Sequence, residues 1–211
     1  MKKILLSFCV VLLLSSCKEE VKIPANFDYG KIENGSYDNK FFNFKLAFND
    51  QWSVQTKEQM HQMSENSRNT MAGDNHNLKN TLKASQVNVA DLFSIFKFPV
   101  GSVSGGNASL IINAENLMSF PNVKTPRDYM VAARQLLDQT SLNLIYKKEP
   151  YTITIGGKQC IGMEIFNQDY NLTQDYFVTL RNGFAISMVL SYDNAEDQQE
   201  LYKMLDTLKF E

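Results

Sequence analysis

Tyr151-Thr-Ile-Thr-Ile-Gly-Gly-Lys-Gln-Cys160-Ile-Gly-Met-Glu-Ile-Phe-Asn-Gln-Asp-Tyr170-Asn-Leu-Thr-Gln-Asp-Tyr-Phe-Val-Thr-Leu180-Arg-Asn-Gly-Phe-Ala-Ile-Ser-Met-Val-Leu190-Ser-Tyr192 reads as four strands with turn residues between them. Tyr151–Ile155 meets Cys160–Asn167 through Gly156-Gly157. Thr173–Leu180 meets Phe184–Tyr192 through Asn182-Gly183, a dipeptide suited to the two positive-φ positions of a tight hairpin. The strands are rich in β-branched and aromatic residues. Short connections of this kind make neighbouring strands antiparallel. A meander of four antiparallel strands is therefore the centre of the predicted fold.

Helical signals flank it. Asp193 with Glu196 resembles a capping box, and Leu201, Leu205 and Leu208 line a closing helix. Upstream, Thr125-Pro-Arg-Asp128 gives an N-cap, a proline at the first helical position and an acid in the first turn. Met130, Ala133, Leu136 and Leu137 continue that helix to about Thr140. Ala90–Phe98 and Ser109–Asn116 read as two further strands, separated by Pro99 and the loop Gly101–Asn107. Before them Met60, Met63, Ser67, Met71, Leu78 and Leu82 recur mostly at three- and four-residue spacings. They predict helix over about 56–85, broken at Gly73-Asp74, with a thin apolar stripe and shallow packing. Phe42, Phe44, Leu46 and Phe48 alternate with Asn43, Lys45 and Ala47 as in a strand. Trp52, the single tryptophan, is a natural core anchor. The element order predicts an α+β fold, with an antiparallel sheet of about six to seven strands flanked by helices.

The 211 residues carry a formal net charge of −2 and no basic block, which argues against a nucleic-acid partner. With 44% hydrophobic and 11% aromatic residues, the composition is ordinary for a globular protein. A single domain over residues 36–211 is expected, preceded by a tether at 17–35 that contains Pro24, Gly30, Asn34 and Gly35.

The chain start gives an address. Lys2 and Lys3 precede an apolar run, Ile4–Leu14, too short for the roughly 20 residues of a membrane-spanning helix. It ends in Leu14-Ser-Ser-Cys17, which resembles the lipobox of bacterial lipoproteins. That resemblance implies that residues 1–16 are a signal peptide cleaved before Cys17. It also implies that Cys17 carries a diacylglycerol thioether and a third acyl chain on its amino group. At about 0.8 kcal/mol per buried CH2 such an anchor is effectively permanent. Lys18-Glu19-Glu20 resembles the lysine-plus-two-acids signal that takes Bacteroidetes lipoproteins to the outer face of the outer membrane. An ordinary solvated tether facing the periplasm is the alternative.

A second resemblance covers most of residues 36–211. The aromatic-rich Tyr37-Asp-Asn-Lys-Phe-Phe-Asn-Phe44 before Trp52, the mid-chain helix and the closing hairpin and helix ending in Thr207-Leu-Lys-Phe210 resemble the PsbP superfamily, which includes the Mog-type proteins. The similarity lies in element order and loose patterning. It implies an α/β/α sandwich and a binding or accessory role, without a catalytic motif to carry over.

No residue set assembles convincing chemistry. Cys9 leaves with the signal and Cys17 is consumed by lipid, so Cys160 stands alone and reads as a small buried hydrophobe. His61 and His76 amount to half a zinc site and read as surface. Asp169, Asp175, Asp193, Glu196 and Asp197 cluster near two loops, but without calcium-loop spacing. Gly101-Ser-Val-Ser-Gly105 places Val103 where a nucleophile elbow needs serine. Tyr29, Tyr37, Phe41 and Phe42 fit a recognition groove or a core equally well. No cofactor and no enzymatic activity are expected. The expectation is a lipid-anchored envelope protein that binds a protein partner. The alternatives are an immunity-type lipoprotein neutralising a toxin, or an envelope-directed hydrolase.

Overall fold

The computed structural model describes residues 23, 24 and 27–211. Among them the chain forms four helices and two antiparallel sheets, the α+β architecture expected from the element order. The strands in chain order are β1 (Lys31–Glu33), β2 (Ser36–Asn39), β3 (Phe44–Ala47) and β4 (Ser53–Val54), then β5 (Val89–Phe96) and β6 (Ser109–Asn116). They continue with β7 (Leu144–Tyr146), β8 (Tyr151–Ile155), β9 (Lys158–Asn167), β10 (Leu172–Arg181), β11 (Phe184–Tyr192) and β12 (Lys209–Phe210). The helices are α1 (Lys57–Ala72), α2 (His76–Ser85), α3 (Pro126–Leu137) and α4 (Ala195–Leu205). None of the described helices is long and apolar enough to cross a membrane.

The large sheet runs β4-β5-β6-β11-β10-β9-β7, with β8 also paired to β9. Its centre is the predicted meander, and Arg181 and Phe184 close the β10–β11 hairpin over Asn182 and Gly183, both at positive φ. Asn116 lies opposite Phe184, which joins β6 to the meander.

Two expectations need correction. The sheet of six to seven strands is an eight-stranded sheet accompanied by a second, four-stranded one, β1-β2-β3-β12. Of the smaller sheet only β3 shows in the alternation of Phe42–Phe48; β1, β2 and β12, at two to four residues each, are too short to carry a period. Within the stretch 17–35 assigned to a tether, Phe27 is buried in the main core and Ile23 packs against it. Gly30 in that stretch has φ +82°, and a Cβ there would fall 2.5 Å from the Tyr37 ring. The segment is therefore fitted to the domain rather than hung from it.

Helix boundaries follow their caps. Thr56 forms a capping box with Gln59, and Thr125 forms one with Asp128. The long predicted helix breaks where expected: α1 stops at Gly73, and Asn75 caps α2 by accepting from the Leu78 amide.

The large sheet separates two environments. One face packs against α4 and the small sheet around Phe93, Ile95, Leu110, Ile112, Ile186, Met188 and Leu190, all fully buried. Tyr37 and Phe93 rings lie 5.1 Å apart there, and burial of each such side chain stabilises by about 1.5–3 kcal/mol. The other face is covered in parts, by α3 over Ile161, Met163, Ile165 and Val178, and by α1 and α2 beside β5. A cleft remains between these two coverings.

Candidate functional site

The cleft follows from strand alternation. Because successive side chains point to opposite faces, the residues between the core positions of β6, β10 and β11 face the helices. These residues are Ile111 and Asn113 on β6, Gln174, Tyr176 and Val178 on β10, and Ser187 and Val189 on β11; they form the floor of a cavity of about 500 Å3. One wall is α1, with Ser67, Thr70 and Met71. The other is α3, with Tyr129, Met130, Ala133, Leu136 and Leu137. A smaller lobe of about 260 Å3 lies farther along α1, between Met60, Met63 and Ser64 and the strand residues Asp91 and Ser94. Ser67, Ile111 and Asn113 border both lobes.

The methionine stripe of α1 therefore serves two purposes. Met60 is buried, whereas Met63 and Met71 are half-buried and line the opening. Met130 adds a fourth methionine from α3. Unbranched thioethers adapt their shape to whatever apolar group they meet.

The polar groups of the cleft are few. Tyr129 Oη donates to Glu115 Oε2 at 2.6 Å, and burial holds the pKa of each above its ordinary value. Burial pushes the Tyr176 phenol up to about 12, so it stays protonated and donates to Gln174 Oε1 at 3.2 Å. Asp91 is also raised by burial, against the opposing charges of Arg68 and His61. Ser94 Oγ is buried and finds no hydrogen-bond partner among the described residues. An unpaired buried hydroxyl costs about 1–3 kcal/mol, which a bound polar group would relieve.

The residues singled out in the sequence are mostly dispersed. Cys160 is fully buried and its thiol is pushed up to about 11 by burial, which suppresses the reactive thiolate. His61 lies exposed 3.8 Å from Glu65, and His76 is exposed at the start of α2. Asp169 accepts from the Asn143 amide at 2.9 Å, and Asp197 pairs with Lys97 at 2.7 Å. Asp175 is buried on the opposite face of the sheet, where Tyr192 and Tyr202 each donate to Oδ2 at 2.8 Å. No group of three His, Cys, Asp or Glu side chains among the described residues is placed to hold a metal ion. Of the four aromatics, Tyr37 and Phe42 are core, Tyr29 is half-buried and Phe41 is exposed. Cys17, Lys18, Glu19 and Glu20 lie outside the described residues.

Glu115, Tyr129, Asn113, Ser94, Ser187 and Gln174 were not foreseen. Their signal was present in the outward positions of the strands, where Ser109, Asn113, Ser187, Ser191 and Gln174 stand in place of aliphatic residues.

No protein-family model matches the chain, and no curated protein matches it. Solved structures with a related arrangement include a Pseudomonas aeruginosa protein of unknown function, at 12% identity and TM-score 0.42, covering 56% of this chain and 80% of that one. A Bacteroides thetaiotaomicron protein aligns at 11% identity and TM-score 0.44 over 85% of this chain. This chain spans about half of that protein, 49% of its length. The cyanobacterial PsbP of Synechocystis aligns at 12% identity and TM-score 0.46, covering 86% of this chain and 96% of its own. No residue role transfers at that similarity.

Proposed function

We propose that this protein is a lipid-anchored, non-catalytic binding or accessory module of the bacterial cell envelope, built on a PsbP-like domain. In this reading its cleft receives an apolar segment of a protein partner. The observation that carries the reading is the Met-lined cleft: a floor of Ile111, Val189 and Tyr176 open to solvent between two helical walls. Flexible methionines suit side chains of varied shape, as at other surfaces that accept several partners. In this reading the few polar groups at its base, among them Tyr129 between Glu115 and Ser187, supply orientation for the bound segment.

Anchoring rests on the Leu14-Ser-Ser-Cys17 resemblance, with acyl chains on Cys17. Lys18, Glu19 and Glu20 direct the protein to the cell surface in this reading, with the periplasmic face of the outer membrane as the alternative destination.

Photo-crosslinking tests the binding site. A photoreactive residue replacing Thr70, at the lip of the cleft, is expected to give a discrete adduct with another protein in intact cells. Ile111→Arg, which places a charge on the floor, is expected to abolish that adduct while leaving the domain folded. An equal yield from a probe at Glu33, on the small sheet, would overturn the assignment. Separately, Cys17→Ala is expected to end incorporation of labelled palmitate.

A further inference from the structure

The end of the large sheet where the described chain enters carries a group of exposed apolar side chains. Ile23 N donates to Val87 O at 3.3 Å, and Phe27 packs 5.0 Å from Phe41, ring to ring. Phe41 in turn meets Phe184 at 5.7 Å, and its carbonyl accepts from the Asn182 side chain in the β10–β11 turn. On the other side of that turn the Leu117 amide donates to Gly183 O, placing the loop that holds Met118 and Phe120 at the same end. Met118 is 76% exposed, Val87 41%, Phe41 38% and Phe120 36%. Singly exposed apolar residues are ordinary on a protein surface, but four gathered around one chain entry form a patch of the kind that marks a surface made to be covered.

Basic groups border them. Lys40 is exposed beside Phe41, and Lys158 is exposed at the start of β9, after the turn whose Gly156 packs on Leu208 and Phe210. Arg181 Nη2 donates to Glu211 O at 2.8 Å. Among the neighbouring acids, Asp28 accepts from the Gly30 and Lys40 amides and the Glu211 carboxylate lies 3.6 Å from Lys45 Nζ, while Asp206 is exposed beside the Gly156-Gly157 turn. Aromatic and thioether side chains rimmed by lysine and arginine match the interface of an anionic bilayer.

Chain length identifies the occupant. From Cys17 to Ile23 the backbone spans at most about 22 Å, whatever its conformation. A ten-residue strand such as β10 is longer, at roughly 33 Å. An acylated Cys17 therefore holds this end, and not the opposite end with Val100 and Val103, against the lipid surface.

We propose that the Val87, Phe41, Met118 and Phe120 end of the domain docks into the bilayer that carries its anchor, fixing the domain upright with the β5–β6 loop pointing away. This rests on the anchored reading given above. It adds an orientation that a flexible leash alone does not provide.

The test uses the full-length, acylated protein in vesicles of phosphatidylethanolamine and phosphatidylglycerol. Position 118 is labelled through Met118→Cys with an environment-sensitive dye; Cys160 is fully buried and Cys17 carries lipid. The expected result is a blue-shifted emission quenched by lipids brominated near the headgroup. A dye at Val103→Cys, at the far end, is expected to emit as in buffer. A second labelled protein, Val87→Cys with Met118→Asp and Phe120→Asp, is expected to lose the shift while Trp52 emission reports an intact core. If the protein floats with the vesicles but the dyes at 118 and 103 both emit as in water, the docking is overturned and the anchor stands. If the protein does not float, the anchor reading fails and the docking falls with it.

Discussion

The two faces of the large sheet are made by the same strands and differ in nearly every respect. On the closed face Phe93, Ile95, Leu110, Ile112, Ile186, Met188 and Leu190 interlock with α4 and the small sheet, and every one is fully buried. On the open face the alternate positions of the same strands hold Ser94, Asn113 and Ser187, under helices that touch through Leu136 of α3 and the Ala72, Leu78 and Leu82 cluster but leave a cleft beyond it. Each face holds a carboxylate, Asp175 buried and Asp91 half-buried, in different company. Asp175 on the closed side accepts from two tyrosines, whereas Asp91 on the open side borders the lobe where Ser94 Oγ lacks a partner among the described residues. One face spends its residues on cohesion; the other keeps space and unsatisfied polarity, the usual marks of a surface with a further occupant.

Substitution separates the two roles. The largest effect is expected from Phe93→Ala on the closed face, a loss of about 3–5 kcal/mol that urea unfolding would register. Trp52, only 7% exposed, gives the optical signal: blue-shifted emission in the folded protein, red-shifted on unfolding. A Phe93 variant as stable as the parent would erase the distinction between the faces.

Next comes a pH effect. Burial raises the pKa of Asp175 above its value in the unfolded chain, and the tyrosine hydrogen bonds only partly oppose this. The folded state therefore holds this proton more tightly. The associated stability is complete below the ordinary aspartate range and is lost as pH rises through the folded pKa. Asp175→Asn keeps an acceptor for the tyrosines and has no charge to desolvate. The wild-type-minus-variant stability difference is expected to fall as pH increases from the acid side toward neutral. A flat difference would show that Asp175 is effectively solvated.

Thr125→Ala removes the cap of α3, the outer wall of the cleft, and is expected to cost about 1 kcal/mol. Amide exchange should accelerate in α3 more than in β6 or β11. The smallest effect on stability is expected at Met63→Ala, within about 0.5 kcal/mol, because this side chain is only half-buried at the cleft mouth. The same change is expected to weaken crosslinking from a probe at Thr70. A large destabilisation without change in crosslinking would move Met63 from the binding surface into the core.

The closed face was far more legible than the open one. The period-two run Phe42–Phe48 that holds β3, the apolar runs of β5, β6 and β11, the Asn182-Gly183 turn and the Thr125 cap each act over a few residues, so the sequence displays them directly. β1 and β12 were missed because a strand of two or three residues has no measurable period, and its pairing depends on distant partners. Phe27 was missed because a single aromatic in a polar stretch carries no pattern. The cleft depends on how far α1 and α3 diverge above β6, β10 and β11 from their contact at Leu136, a distance that no local spacing encodes. Only the methionine stripe hinted at it, and that stripe reads equally well as shallow packing.

The small sheet also dictates an order of events. Ala47 and Thr207 are 160 residues apart, yet the Thr207 hydroxyl both accepts from the Ala47 amide at 2.9 Å and donates to its carbonyl at 2.8 Å. Closing a loop of that length costs on the order of 4–5 kcal/mol of chain entropy before any contact repays it. The β9–β10–β11 meander closes through short turns and can form early, whereas β3 has to wait for β12 to be synthesised and brought back to it. Until then Phe44 and Leu46 have no completed sheet to enter, and an emerging chain carries them as a sticky strand edge. A refolding experiment should show the meander amides protected first and those of β3 last, with aggregation confined to the interval between.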